Sequence, residues 1–161
     1  EVLNTTGWYS VVRHPLYLGN YLMGLGIALF PFVWWVPVIY TLSFALYYER
    51  IMVAEEDFLR GKFGEDFEKW SEATPGFFPA LSKWDSPSLE FSFKNILRRE
   101  YSSLFALVLC FSILDLVGNF LVERRIYLVP VWNNLFWITL VAYLILRTLK
   151  RHTTMLDVKG R

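Results

Sequence analysis

Arg13-His14-Pro15-Leu16-Tyr17-Leu18-Gly19 is answered further along by Glu55-Glu56-Asp57-Phe58-Leu59-Arg60-Gly61-Lys62-Phe63-Gly64. Between these polar stretches, Leu16 to Tyr48 contains no Asp, Glu, Lys or Arg. At a rise of about 1.5 Å per residue, that run is too long for one ordinary span of about 20 residues. Pro31 and Pro37 interrupt it, and Trp34 and Trp35 lie between them. Proline breaks helices, and tryptophan favours a membrane interface. The pattern predicts a helical hairpin, with one helix from Leu16 to Leu29. The second runs from Trp35 into a polar continuation ending near Lys62. Both polar clusters then lie at one end of an apolar hairpin, which predicts a site at a bilayer surface.

Composition supports a membrane setting. Of 161 residues, 55% are hydrophobic and 19% aromatic, and the mean hydropathy is +0.34. Soluble domains are about 45–50% apolar. A net charge of +1 gives no footprint for nucleic acid. The lone cysteine, Cys110, lies in an apolar run and is read as a small buried hydrophobe. His14 and His152 are far apart in the chain, so no metal-ligand spacing is present. The chain begins at Glu1 without a methionine or a visible signal peptide, and is expected to lack its N-terminal part.

Outward from the hairpin, Trp8 to Val12 reads as a short amphipathic segment. Charge begins at Glu49, and the i,i+4 spacing of Glu56 and Arg60 predicts a surface ion pair. Gly61 and Gly64 end the helix, and Glu65 to Trp70 forms an amphipathic turn or helix. Pro75, Gly76, Pro79 and Pro87 mark a loop. Residues 88–100 read as a polar linker. Tyr101–Val122 and Ile126–Leu146 read as a second apolar hairpin, joined through Glu123, Arg124 and Arg125. Asp115 and Asn119 share a face of its first helix, where a charge is costly. Asp115 is read either as lining a headgroup or inter-helix site, or as pairing with Asn133 or Asn134.

The predicted fold is all-α. It is a polytopic helical membrane protein of two hydrophobic hairpins, with a cytoplasmic helical segment that binds a cofactor. The expected division is a core over 1–80, an amphipathic linker over 81–100 and a two-helix extension over 101–161. If both hairpins are complete, residues 1–15, 49–100 and 147–161 share one side. That side carries fourteen of the sixteen Lys and Arg residues, which makes it the cytoplasm.

Two clusters suggest chemistry. Pro15 restricts His14 to extended geometry and can open the next helix at its first turn. The free N–H groups of that turn can receive a carboxylate, with Arg13 adding a bidentate grip. Glu55 and Glu56 supply the opposite charge, for an ammonium or a ribose hydroxyl pair. A zwitterionic, amino-acid-like ligand satisfies both. Standing alone, each cluster has a plainer explanation: Arg13 as a headgroup anchor, and Glu55-Glu56 as a solvated helix face. Gly24-Leu25-Gly26 lacks the third glycine and the preceding strand of a dinucleotide fingerprint.

Taken together, Gly7-Trp-Tyr-Ser-Val-Val-Arg-His-Pro-Leu-Tyr-Leu-Gly19, the hairpin, Glu55 to Gly64, and then Phe67, Trp70 and Pro75 carry a family resemblance. Over residues 3–80 the chain resembles the integral-membrane methyltransferases of the isoprenylcysteine carboxyl methyltransferase type, which in turn resemble phospholipid methyltransferases. Trp8 stands where that family often has proline. The resemblance implies S-adenosylmethionine as cofactor. It implies that His14, Tyr17 and Gly19 line its pocket with support from Arg13, and that Glu55 and Glu56 frame its polar end. It also implies a lipid or lipidated acceptor methylated on a carboxylate, phosphate or amine, with no metal and no covalent enzyme intermediate. Arg50 is placed to steer an anionic acceptor, or to anchor at the interface. Two other readings stand beside this one: an NADPH-dependent reductase of the sterol-reductase kind, and a non-catalytic membrane scaffold.

Overall fold

The computed structural model describes residues 2–87 and 91–154. Among these residues the protein is helical, with one isolated bridge between Gly7 and Asp85 in place of any strand. The chain divides into two compact units, residues 1–90 and 91–161.

In the first unit, helix α1 (Trp8–Val11) leads through an extended Val12 to α2 (Pro15–Leu29). Pro15 occupies the first position of α2, where a missing N–H costs nothing. The helix stops before Pro31, and Phe32 turns the chain at a φ of 55°. Helix α3 (Trp35–Phe63) follows, with Pro37 tolerated in its first turn. It runs 29 residues, about 43 Å, and so crosses from the apolar stretch into the charged one without a break. Gly64 ends it at a φ of 56° and also opens α4 (Glu65–Ala73). Arg60 and Lys62 at the end of α3 face the negative pole of its dipole. Glu65, Asp66 and Glu68 at the start of α4 face the positive pole.

Helices α2 and α3 pack together as the predicted hairpin, and their contacts fix them antiparallel. Tyr17 lies against Tyr48 near one end, and Tyr21 bonds Thr41 at 3.1 Å nearer the turn. Gly24 admits the Tyr40 ring, since a Cβ at Gly24 would collide with it. The Tyr40 hydroxyl donates to the carbonyls of Asn20 (3.3 Å) and Tyr21 (3.2 Å). Gly24 is thus a packing notch.

A strap formed by α4 and the loop after it holds residues 7–13. The Arg13 amide donates to the Pro75 carbonyl (2.9 Å), and the Ala80 amide to the Val11 carbonyl (2.9 Å). The Trp70 indole donates to the Tyr9 carbonyl (2.9 Å), and the Asp85 amide to the Ser10 hydroxyl (2.9 Å). Val11, Val12 and Phe67 are fully buried beneath the strap. These bonds satisfy backbone groups that α1, only four residues long, leaves unpaired.

The second unit is a helix pair. Helix α5 (Phe93–Glu123) begins well before Tyr101 because Ser92 caps it, accepting from the Asn95 amide at 3.4 Å. Residues 93–100 of the polar stretch read as a linker are therefore the first two turns of this helix; residues 88–90 lie outside the described residues. Helix α6 begins at Pro130 rather than Ile126 and runs to His152. The chain between is held by Asp115, which does not pair with Asn133 or Asn134. Its Oδ2 accepts from the Val129 amide at 2.9 Å and from Asn119 at 3.3 Å. Asn119 also donates to the Tyr127 carbonyl at 3.1 Å. Phe105 against Tyr143 and Phe111 against Trp132 set the two helices antiparallel.

Helix α5 is long and apolar enough to cross a membrane, and only 11% of its most apolar stretch is buried within the molecule. A soluble core helix of that composition would be mostly covered, so bilayer is the fitting solvent for this surface. Helix α2 is apolar but shorter, and α5 alone among the described helices meets the length and composition of a span. The all-helical fold stands, and the two-hairpin crossing rests on one helix of that kind.

Candidate functional site

The two sequence clusters meet. His14, at the N-terminus of α2, is only 5% exposed. Its Nε2 lies 2.9 Å from Glu56 Oε1 on α3, and its Nδ1 lies 3.6 Å from Glu55 Oε2. Donation to Glu56 requires a proton on Nε2. The His14 ring also stacks on Tyr17 at 5.5 Å, and the Tyr17 hydroxyl donates to Glu55 Oε2 at 2.8 Å. Adjacent carboxylates on α3 are therefore held by two residues of the first turn of α2.

Arg13 completes the group. Its Nε is buried and lies 3.3 Å from Glu56 Oε1, within ion-pair range but misdirected for a hydrogen bond. Its Nη1 donates to the Ser71 carbonyl at 3.4 Å. Gly76 makes room for the guanidinium, since a Cβ there would stand 3.1 Å from Nη2. The expected Glu56–Arg60 pair does not form. Glu56 turns inward to His14 and Arg13, while Arg60 bonds Asp57 at 2.8 Å and lies 4.0 Å from Glu68.

Arg13, His14 and Glu56 form a wall shared by two cavities. The larger, about 610 Å³, is walled mainly by apolar and aromatic side chains, including Tyr21, Phe44, Tyr48 and Phe77. The smaller, about 280 Å³, is more mixed, with Asn4, Tyr9, Glu55, Lys62 and Trp70 among its walls. Burial, together with the nearby Glu55 carboxylate, raises the pKa of the Tyr9 phenol above its ordinary value, which keeps it neutral and able to donate.

Of the residues singled out in the sequence, Arg13, His14, Tyr17, Glu55 and Glu56 come together. Gly19 lies one turn further along α2, with nothing near its Cα on the side a Cβ would occupy, and it lines neither cavity. Arg50 is exposed and also lies outside both. Its neighbour Glu49 lines the larger cavity instead. Sequence reasoning passed over Glu49, although it stands seven residues, two helical turns, before Glu56 and so on the same face. It also passed over Phe44 and Tyr48, whose i+4 spacing marks them on that face. Among the described residues no group of three or more His, Cys, Asp and Glu side chains is arranged to hold a metal ion.

Residues 1–66 match the family model of the phospholipid methyltransferases. The match covers 66 of the chain's 161 residues, fewer than half. The chain is 40% identical over 88 residues to a cobalt-zinc-cadmium resistance protein of Cupriavidus metallidurans, covering 55% of this chain and 40% of that one. It is 38% identical over 86 residues to a nickel-cobalt-cadmium resistance protein of Alcaligenes xylosoxydans, covering 53% and 40%. It is 26% identical over 81 residues to the protein-S-isoprenylcysteine O-methyltransferase of Schizosaccharomyces pombe, covering 50% and 34%. The chain thus spans 40% or less of the length of these relatives. No solved structure matches it.

Proposed function

We propose that this protein is a membrane methyltransferase that uses S-adenosylmethionine and acts on a lipid or lipidated acceptor. The observation that carries the reading is the shared wall: one charged group, Arg13–His14–Glu56, borders both a mixed polar cavity and an apolar one. A reaction between a water-soluble donor and a lipid needs such a border. The match of residues 1–66 and the likeness to the yeast isoprenylcysteine methyltransferase support the same chemistry.

The residues fit the cofactor. Helix α2 has no side-chain cap, and Arg13 Nε is buried without a hydrogen-bond acceptor. Both suit a carboxylate. Glu55 and Glu56 suit an ammonium or ribose hydroxyls, and Tyr9 and Trp70 offer aromatic faces to a nucleoside. When bound, S-adenosylmethionine supplies an electrophilic methyl group, with the electron pair of the broken bond remaining on sulfur. The protein's part is to orient and to exclude water. Tyr17 holds Glu55 and His14 holds Glu56, so neither carboxylate is free to swing. The apolar cavity receives the lipid from the bilayer side. The Lys and Arg bias supports a cytoplasmic opening for the mixed cavity.

Calorimetric titration of the full chain in neutral detergent with S-adenosylmethionine and with NADPH tests the reading. The expected result is binding of S-adenosylmethionine that is lost in His14→Ala and in Glu55→Ala. Binding of NADPH alone, or of neither by folded protein, would overturn it.

A further inference from the structure

We infer that the paired ends of α5 and α6 form a basic collar that binds the headgroups of anionic phospholipids. The inference concerns the second unit alone, and it holds whether or not the first unit transfers a methyl group.

The Lys150 ammonium donates to the Arg98 carbonyl at 3.0 Å and lies 5.3 Å from the centre of the Tyr101 ring. Tyr101 in turn meets Tyr143 at 5.5 Å. These contacts set the first two turns of α5 beside the last two of α6. Lys94, Arg98 and Arg99 of α5 and Arg147, Lys150 and Arg151 of α6 gather there. Over residues 91–101 and 143–154 they face one carboxylate, Glu100. The far end of the pair is balanced, with Arg124 and Arg125 against Asp115 and Glu123. In sequence, residues 155–161 add Lys159 and Arg161 against Asp157, so the tail does not reverse the excess.

The helices' own electrostatics do not account for this arrangement. A helix N-terminus is the positive pole of its dipole and favours acids. The first turn of α5 holds no acid, and Lys94, Arg98 and Arg99 follow within two turns. Lys94 and Arg98 are spaced i,i+4, as are Arg147 and Arg151, and like charges at that spacing repel. Lys94, Arg99, Arg147, Lys150 and Arg151 are exposed, and none pairs with a carboxylate among the described residues. Arg147 and Lys150 are nevertheless held in place by neutral groups. Arg147 donates to the Tyr143 hydroxyl and lies 5.6 Å from the centre of that ring. Two fixed cations with neutral partners, in a cluster that repels itself, call for an anion from outside the unit.

The position of the collar says which anion. Residues 101–122 of α5 carry one charge, Asp115, and extend about 33 Å, close to the thickness of about 30 Å of a hydrocarbon core. A bilayer fitted to that stretch has the collar at headgroup level. Phe91 and Phe93, 81% and 64% exposed, flank it with rings suited to the acyl boundary. A lipid phosphate reaches the cations from this level while its chains lie along α5.

The test uses the full chain in phosphatidylcholine bilayers, with spin-labelled phosphatidylglycerol or phosphatidylcholine of the same chains as probe. Electron paramagnetic resonance reads the fraction of probe immobilised by the protein. Wild type is expected to favour phosphatidylglycerol by about fivefold, the scale of one basic side chain at a charged surface. Arg147→Gln/Lys150→Gln is expected to reduce the preference below about twofold, and Lys94→Gln/Arg99→Gln to lower it in the same direction. Arg147→Lys, which keeps the charge, is expected to retain it. Arg124→Gln/Arg125→Gln, an equal charge change at the far end, is expected to leave it intact. Circular dichroism establishes that each variant is folded. Equal immobilisation of the two lipids by wild type would overturn the inference and leave the cations as ordinary interface anchors. An unchanged preference in both collar variants would overturn it as well. So would binding of soluble polyphosphate by protein that shows no phosphatidylglycerol preference.

Discussion

His14 Nε2 and Glu56 Oε1 lie 2.9 Å apart although 42 residues separate them in the chain. The contact joins the N-terminus of α2 to the charged half of α3, and it closes the hairpin at its polar end. Both partners are largely covered, with side chains 4% and 20% exposed. Removing Glu56 leaves His14 Nε2 without its acceptor and the Arg13 guanidinium without its counter-charge. Glu56→Ala is therefore expected to destabilise the first unit by about 2–4 kcal/mol. Glu56→Gln, which keeps an acceptor oxygen, is expected to cost about half as much. Urea unfolding followed by tryptophan fluorescence checks this, and equal stability of all three proteins would contradict it.

Gly76 is expected to act through Arg13. A methyl group 3.1 Å from Nη2 must displace a guanidinium that the Ser71 carbonyl also holds. Gly76→Ala is expected to weaken S-adenosylmethionine binding several-fold, on the order of 1 kcal/mol, while the unfolding midpoint moves little. Unchanged affinity in calorimetry would show that Arg13 does not contribute.

Gly24 and Gly26 should respond oppositely to the same substitution. At Gly24 a Cβ would overlap the Tyr40 ring, whereas at Gly26 it would meet nothing within 4 Å. Gly24→Ala is expected to cost about 1–3 kcal/mol through overpacking. Gly26→Ala is expected to be neutral or stabilising by up to about 1 kcal/mol, from helix propensity. Thermal unfolding of the pair in one detergent decides the matter.

In the second unit, Asp115 is expected to hold the α5–α6 connection and to have no part in cofactor binding. Asp115→Ala frees the Val129 amide, which Oδ2 now receives at 2.9 Å. Hydrogen exchange at Val129 should accelerate, while S-adenosylmethionine affinity stays within about twofold, a few tenths of a kcal/mol. Slow exchange in the variant would mean that the turn is held by other bonds.

The parts of the fold legible in the sequence are those fixed by one residue's own geometry. Pro15 can only open a helix, and Gly64, at a φ of 56°, takes a conformation that side chains resist. The ends of α2 and α3 follow from them. The start of α5 was hidden because Ser92 and the polar turns after it look the same in a capped helix and in a linker. The start of α6 was hidden because a distant carboxylate, Asp115, holds residues that would otherwise extend the helix. The site shows the same division. Glu55, Glu56, His14 and Arg13 stood out by type and order. The Glu56–Arg60 spacing was also real, yet two partners from the junction of α1 and α2, Arg13 and His14, outcompete Arg60 for the same carboxylate. Glu49 escaped because nothing local distinguishes a carboxylate facing a cavity from one facing water. Only the register of α3 against α2 and the strap does so.

The most direct measurement is transfer of a tritiated methyl group from S-adenosylmethionine into chloroform-extractable lipid by the purified full chain in bilayers, compared with His14→Ala and Glu56→Ala. The expected result is time-dependent label in a lipid fraction that falls at least tenfold in both variants. Folded wild-type protein that binds the cofactor yet labels no lipid, or equal labelling by all three proteins, would contradict the reading of the shared wall as the site of transfer.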